Sequence, residues 1–235
     1  MAYTYDATTG RYLRDGTPVP RAEVLLEVDR LYKTTEQRLE EAATRLKLSE
    51  LQRATNPQKW QKLADKGKAY TIADFQREAK AILKPATMQA ALLGGGGKNN
   101  ADARLYGTAG YQLRQAYARI GTIGKQLENG DLTTAQGLAN ARNLALNTRQ
   151  AFHKGELLAR AKGGANEGWR RLDPGANHCP DCPTYATDSW IPIGDIVAVG
   201  DGCRCGGRCR CSVTYRYNPA LNPLSDLADL VLQEQ

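Results

Sequence analysis

The sequence predicts a mainly α-helical protein that ends in a small β-containing module. Apolar residues recur at steps of three and four over long stretches before Gly164, which is the period of an amphipathic helix. After Gly164, glycine, proline and short β-like runs take over, and all six cysteines fall between residues 179 and 211. With 235 residues and a 41% hydrophobic composition, the chain suits one or two domains with a modest core. We divide it into an extended segment (1–20), a helical domain (21–164), a cysteine-rich module (165–217) and a C-terminal tail (218–235).

The first 20 residues are predicted to be irregular or to form a hairpin. Asp15 and Gly16 form a turn signal between two short β-like runs, 10–13 and 17–19. The chain start lacks the basic end and apolar run of a signal peptide. No stretch approaches the roughly 18 apolar residues of a membrane span. We therefore expect a cytoplasmic protein without membrane contact.

Two helices are predicted in the first half of the helical domain. The first runs from Arg21 to about Gln52 and ends before Asn56-Pro57, because the residue before a proline avoids helical geometry. The second begins at a capping-box-like Thr71-Ile72-Ala73-Asp74 and is expected to end near Leu83, before Pro85. The glycine run 94–97 is expected to be irregular.

The strongest helical pattern covers residues 106–127 and ends at Asn129-Gly130. Thr133 or Thr134 can cap a further helix that runs to about Lys162, and the short connection predicts an antiparallel helical hairpin. The apolar stripe of 106–127 is either core or a partner surface, and the same holds for the leucines of the tail. The residues in question are Tyr106, Ala109, Leu113, Ala116, Ile120, Ile123, Leu127, Leu224, Leu227, Leu230 and Val231. We expect the interface of this hairpin to be filled in part by Leu144, Phe152 and Leu158.

The cysteine spacing predicts a structural metal site. Cys179 and Cys182 form a Cys-x-x-Cys turn that can aim two sulfurs at one point, and twenty residues separate it from four further cysteines. Tetrahedral zinc with bonds of about 2.3 Å needs sulfurs about 3.8 Å apart. In a reducing compartment clustered cysteines bind metal more often than they form disulfides. The predicted Zn²⁺ ligands are Cys179, Cys182, Cys203 and Cys209, the last two joined by a loop that Gly206 and Gly207 permit.

Other assignments of the cysteines stay open. Cys205 or Cys211 can replace Cys203 or Cys209, and His178 is expected beside the site rather than in it. A disulfide framework and a thioredoxin-like redox pair are the alternatives to metal binding, although no βαβ pattern surrounds the cysteines. A catalytic zinc site would need an open position and a base, and the chain has only two histidines. We expect no enzyme activity.

The charge balance gives a second functional hypothesis. The net charge is +7 and the sequence pI is near 9.1, which favours polyanionic partners. Arg204, Arg208 and Arg210 alternate with the cysteines and can touch phosphate, or they can be solvated loop charge. The glycines at 94–97 are not a P-loop, because Lys98 is followed by Asn99 instead of Ser or Thr.

The C-terminal module resembles a known family signature. Its elements are a Cys-x-x-Cys, a Trp-Ile-Pro-Ile-Gly segment, a further cysteine and a closing Cys-Arg-Cys with a short strand. In this chain they are Cys179–Cys182, Trp190–Gly194, Gly200–Cys203 and Cys209–Tyr215. Together they are similar to the C-terminal signature of phage Mu F-like head morphogenesis proteins, also called minor head proteins. Cys205 is additional to that pattern, and the N-terminal part resembles one phage branch more loosely.

The resemblance implies a virion protein that acts in head assembly. It implies portal and major capsid proteins as partners, several copies in the virion assembly, and packaged DNA as a further partner. It also implies a location in the virion, and in the host cytoplasm during assembly. The alternative function is a nucleic-acid-binding zinc module that acts on the packaged genome.

Overall fold

The computed structural model describes residues 3–6 and 9–221. It is mainly helical, with two small antiparallel sheets and a C-terminal cysteine cluster, which confirms the predicted fold class. The helices are α1 (Arg21–Thr55), α2 (Pro57–Asp65), α3 (Ile72–Gly94), α4 (Ala103–Glu128), α5 (Thr134–Leu144), α6 (Leu146–Lys162) and α7 (Cys182–Tyr185). The strands are β1 (Tyr3–Asp6), β2 (Arg11–Arg14), β3 (Thr17–Val19), β4 (Glu167–Arg171), β5 (Ile191–Pro192) and β6 (Ser212–Arg216). None of the described helices is both long and apolar enough to cross a membrane.

The N-terminal segment forms a three-stranded antiparallel sheet with the order β1-β2-β3. Asp15 and Gly16 connect β2 to β3 with φ angles of +50° and +83°, the left-handed geometry of a tight hairpin turn. Tyr12 projects from the central strand into the helical core, where its hydroxyl donates a hydrogen bond to the Gly94 carbonyl at 3.1 Å. The sheet therefore covers one end of the helical domain.

Asn56 ends α1, as the sequence predicts, and it also begins α2, a helix that the sequence pattern does not predict. Its backbone N–H closes α1 on the Gln52 carbonyl, and its side chain accepts a hydrogen bond from the Lys59 N–H at the start of α2. Asparagine suits both positions, because its short amide can replace the backbone partners missing at a helix end. α1 buries one stripe, with Leu39 fully enclosed.

The predicted end of α3 before Pro85 is wrong. The helix begins at the predicted capping box of Thr71 and Asp74 but continues through Pro85 to Gly94. Proline removes one backbone hydrogen bond and leaves a carbonyl one turn earlier without its donor. Pro85 and Ala81 both lie on the exposed face of α3, where water can solvate that carbonyl. The packed opposite face keeps the helix continuous.

The helix predicted from Thr133 to Lys162 is two helices. Thr133 forms a capping box with Gln136, and a break at Ala145 divides α5 from α6. α5 packs most extensively on α1, and α6 packs most extensively on α3. The sequential hairpin neighbour, α4, is therefore not the main partner of either helix.

α3 and α6 approach closely at two glycines. A Cβ atom on Gly94 would lie 2.0 Å from the Phe152 carbonyl oxygen, and one on Gly155 would lie 2.4 Å from the Ala91 carbonyl oxygen. Both separations are shorter than contacts between real atoms. The two helix backbones can meet at this distance only because neither position has a side chain.

Two apolar clusters form the core of the helical domain, and the stripe of α4 belongs to them. Its buried members are Ala109, Leu113, Ala116, Ile120 and Ile123, whereas Tyr106 is 42% exposed. The structure thus decides between the two interpretations of this stripe, which is intramolecular core. The tail leucines lie outside the described residues.

A buried ion pair joins α1 to α6. The Arg21 guanidinium donates to both carboxylate oxygens of Glu156 at 2.5 and 2.6 Å, and Glu156 is 1% exposed. Burial by itself would raise the pKa of Glu156, but hydrogen bonds from Arg21 and His153 outweigh it and lower the pKa to about 2. This carboxylate is therefore held ionised inside the helical domain.

The C-terminal module has its own three-stranded antiparallel sheet, with β4 between β5 and β6. The module rests on α6 through polar contacts. Gln150 donates to the Gly200 carbonyl at 2.6 Å, and Lys154 pairs with Asp201 at 3.0 Å. At the start of α6, a Cβ on Gly207 would lie 2.4 Å from the Leu146 carbonyl oxygen, so this glycine permits a direct backbone approach.

Candidate metal centre

The first half of the centre is a turn that leads into α7. The Cys182 N–H donates to the Cys179 carbonyl at 3.0 Å, which folds the Cys-x-x-Cys segment back on itself. The two sulfurs lie 3.5 Å apart. Cys182 is completely buried, whereas Cys179 is partly exposed. The turn aims both sulfurs at one point, as the spacing predicts.

The second half is the loop that leads into β6. Gly206 has a φ of +52°, and its N–H donates to the Cys203 carbonyl at 2.9 Å. The Cys209 N–H donates back to the Gly206 carbonyl at 3.1 Å. This tight loop turns the Cys203–Cys211 segment so that its sulfurs face the Cys-x-x-Cys turn. The glycines thus have the role that the sequence assigns to them.

Four sulfurs form a compact group that could hold a metal ion. The Sγ atoms of Cys179, Cys182, Cys203 and Cys205 all lie within 4.8 Å of one another. The Cys205 sulfur is central, at 3.5 Å from Cys179, 3.3 Å from Cys182 and 3.2 Å from Cys203. These separations are close to the roughly 3.8 Å of sulfurs in tetrahedral zinc. A disulfide needs about 2.05 Å, and all six cysteines are unpaired.

The predicted fourth ligand, Cys209, lies at the edge of this group. Its sulfur is 3.6 Å from that of Cys182, but the compact set contains Cys205 in its place. Cys211 belongs to a second group, with Cys182 and His178, whose ligand atoms also lie within 4.8 Å of one another. The predicted ligands Cys179, Cys182 and Cys203 therefore come together, and the geometry favours Cys205 as the fourth. Cys205 was left open at the sequence level.

Arg170 lies directly behind the sulfurs and is fully buried. One of its terminal nitrogens donates to the Val197 and Ala198 carbonyls at 2.8 and 3.3 Å. The other lies 3.7 Å from the Cys209 sulfur. Burial opposes its charge, yet a hydrogen bond to Cys211 and the neighbouring sulfurs raise the pKa of Arg170. A buried guanidinium needs an anionic partner, and thiolates are the acidic groups within its reach.

Asp181 links the two halves of the centre. Its carboxylate accepts a hydrogen bond from the Arg204 N–H at 2.8 Å and pairs with the Arg204 guanidinium at 3.3 Å. Asp181 is one of the two residues between the cysteines of the turn, so this contact holds the turn against the second loop. Sequence reasoning missed both Asp181 and Arg170, because neither position shows a pattern that sets it apart from surface charge.

The ionisation of the sulfurs depends on their crowding. Burial and neighbouring sulfurs raise the pKa of Cys182 and Cys205. At Cys179, hydrogen bonds involving Cys205 and Cys182 outweigh burial and lower the pKa to about 6. Thiols this close cannot all lose their protons without a cation among them, because each thiolate repels the next. A divalent ion would remove that repulsion and allow all four to ionise.

Two of the three arginines of the second loop, Arg204 and Arg208, line one groove, and each also has a partner within the chain. Arg204 pairs with Asp181, and the Arg208 guanidinium donates to the Asn143 side chain at 2.6 Å, which ties the loop to α5. Arg210 is exposed. Arg204 and Arg208 thus have structural partners within the chain.

The other signature residues surround the cluster. Trp190 packs on Trp169 with ring centroids 5.8 Å apart, and Ile191–Pro192 forms the edge strand β5. The apolar side chains of Ile196, Val199 and Val213 enclose the sulfurs.

Comparisons of this chain with protein-family models, with curated proteins and with solved structures each found no match.

Proposed function

We propose that the C-terminal module is a zinc-stabilised folding unit and that the protein is a phage minor head protein. The observation that supports the first part is the four-sulfur group of Cys179, Cys182, Cys203 and Cys205. Four thiolates satisfy tetrahedral Zn²⁺ completely and leave no position for water or substrate, which is the arrangement of structural sites. Soft sulfur ligands in this number select zinc over magnesium or calcium.

A structural metal would also compensate for the small apolar core of this module. The described part of the module has two short strands, one strand of two residues and one helix of four residues, with few buried aliphatic side chains. Such a segment cannot bury enough apolar surface to fold by that force alone. Metal binding would supply the missing folding free energy.

The head-assembly role is supported by the resemblance of the signature and by where its parts lie. The turn at Cys179, the segment from Trp190, and the closing run from Cys209 belong to one module around one centre. The module rests on a helical domain in which the 35-residue α1 buries one stripe and leaves its other faces toward solvent, and the nine-residue α2 buries no residue. We propose that these helices contact portal or capsid subunits and that the protein performs no reaction.

Metal content tests the first part of the proposal. The protein is purified without chelator, and native mass spectrometry and free-thiol titration are performed on the same sample. We expect bound zinc, and we expect chelation to remove the tertiary signal of the module. If the protein were metal-free, with freely reactive or disulfide-paired cysteines, the result would contradict the proposed zinc unit and support the redox or disulfide alternatives.

Assembly tests the second part. The chain is produced together with the portal and major capsid proteins encoded in the same phage, and proheads are separated by sedimentation. We expect the chain to sediment with the proheads. A protein that stays at the top of the gradient as a monomer, with zinc bound, would contradict the head role and leave the metal unit standing.

A further inference from the structure

We propose that the module binds two metal ions that share the Cys182 thiolate. The first ion is held by Cys179, Cys182, Cys203 and Cys205, and the second by Cys182, Cys209, Cys211 and His178. This inference rests on the zinc unit proposed above and adds a second site, with a histidine ligand, to it.

The number of donors fits two tetrahedral ions. Two ions with four ligands each and one shared sulfur need about seven donors. The module supplies six cysteine sulfurs and the His178 imidazole. Cys182 is the natural bridge, because its sulfur lies in the compact four-sulfur group and also in the group with His178 and Cys211. It is completely buried between them.

The second group is almost complete as it stands. The ligand atoms of His178, Cys182 and Cys211 lie within 4.8 Å of one another. Cys209 is outside that compact trio, but its sulfur lies 3.6 Å from Cys182 and its side chain interacts with Cys211. Cys209 would complete the set as the fourth ligand if its loop moved toward the trio. The second site is therefore expected to be the weaker one.

His178 makes a contact that metal-binding histidines commonly make. Its Nε2 lies 2.7 Å from the Asp173 carbonyl oxygen, an acceptor to which Nε2–H donates. Nδ1 is therefore the ring nitrogen that remains for a metal. Histidines that bind metal usually donate their other ring N–H to a carbonyl or carboxylate in this way, which fixes the ring and its tautomer.

The charge around the cluster is compatible with two ions. Six thiolates and two divalent ions carry a net charge of about −2. The fully buried Arg170 guanidinium lies 3.7 Å from the Cys209 sulfur, so it would lie beside the ligands of the second ion and offset part of this charge.

The test is the number of ions per chain. The full chain is titrated with Zn²⁺ and examined by native mass spectrometry, and a parallel titration with Co²⁺ follows the thiolate-to-metal absorption band. We expect two ions per chain, bound in two steps. The second step should be removed first by a competing chelator.

Four variants separate the two sites. His178→Ala and Cys211→Ser should retain the first ion and weaken the second by more than about tenfold. Cys182→Ser should impair both ions, because it removes the bridge. His153→Ala is the matched control, since His153 is the other histidine of the chain and lies in the helical domain near Glu156. It should bind two ions as the unmodified chain does.

The outcomes distinguish this inference from the zinc unit itself. One ion per chain at saturating Zn²⁺, unchanged in His178→Ala, would overturn the second site and leave the zinc unit intact. No bound ion would overturn both. Two ions with an unchanged second step in both His178→Ala and Cys211→Ser would show that the second ion binds elsewhere, which also contradicts the proposal.

Discussion

The helical domain and the cysteine module achieve their folds by different means. The helical domain encloses two apolar clusters, in which Leu39, Phe75 and Phe152 are almost completely buried. The module encloses six sulfurs and a buried arginine, with only a few aliphatic side chains around them. The first gains stability from apolar burial, which is spread over many residues. In the zinc unit that we propose, the second concentrates it in a few bonds to metal.

This difference predicts how each region loses stability when one residue is replaced. A distributed core loses stability in small increments, so most single changes leave it folded. A metal-dependent unit loses its stability when one ligand is lost. The four tests below break or sharpen this contrast, from the largest expected effect to the smallest.

The largest effect is expected from Cys182→Ser. Structural zinc supplies on the order of 10 kcal/mol of apparent folding free energy in small units, so loss of this ligand should unfold the module. Trp169 and Trp190 lie in the module, and their fluorescence should shift toward that of exposed tryptophan. The far-ultraviolet helical signal of residues 21–162 should remain. Loss of both signals together would show that the helical domain depends on the module and would remove the contrast.

Glu156→Gln tests the buried charge in the helical domain. Removing one partner of a buried ion pair costs about 3–5 kcal/mol, which should appear in urea unfolding at neutral pH. The folded pKa of about 2 lies below the ordinary value of 4.5, so the ionised carboxylate stabilises the fold above about pH 4.5. That contribution is lost as the pH falls toward 2. The difference between the original chain and Glu156→Gln should therefore shrink over this interval, and a constant difference would contradict the assignment.

A pair of glycine substitutions measures the packing of α3 on α6. Gly155→Ala places a methyl group 2.4 Å from the Ala91 carbonyl oxygen and should destabilise the helical domain by about 1–3 kcal/mol. Gly110→Ala, in α4, meets no atom within 4 Å and should stabilise by about 0.5–1 kcal/mol. Thermal unfolding followed at the helical signal gives both values. If the two substitutions changed the thermal stability equally, α3 and α6 would be able to move apart without loss of stability, which would contradict the close packing.

The smallest effect is expected at the contact between the two regions. Asp201 is half exposed and pairs with Lys154 at 3.0 Å. Such exposed pairs contribute about 0–1 kcal/mol to the free energy of unfolding. Asp201→Asn should therefore lower that free energy by less than about 1 kcal/mol, and the loss should be smaller still in high salt. A larger loss would show that the module and the helical domain unfold as one unit rather than as two.

The sequence could predict most helices because their signals are local. The capping box at Thr71, the end of α1 at Asn56 and the stripe of α4 all follow from residues within a few positions of one another. The errors have a tertiary cause. Pro85 ends a helix by local rules, but the buried face of α3 holds the helix together on both sides of it. The break at Ala145 separates a helix that packs mainly on α1 from one that packs mainly on α3.

The candidate site divides in the same way. The spacing of the cysteines alone determines that Cys179 and Cys182 share a turn and that a second loop must complete a sulfur cluster. Only the folded chain decides which sulfurs of that loop meet the turn, because Gly206 reverses the backbone and carries Cys205 to the centre. Only the folded chain places Arg170 behind the cluster and Asp181 across it. Ligand type is a property of the residue, whereas ligand distance depends on backbone turns that bring together residues far apart in the sequence.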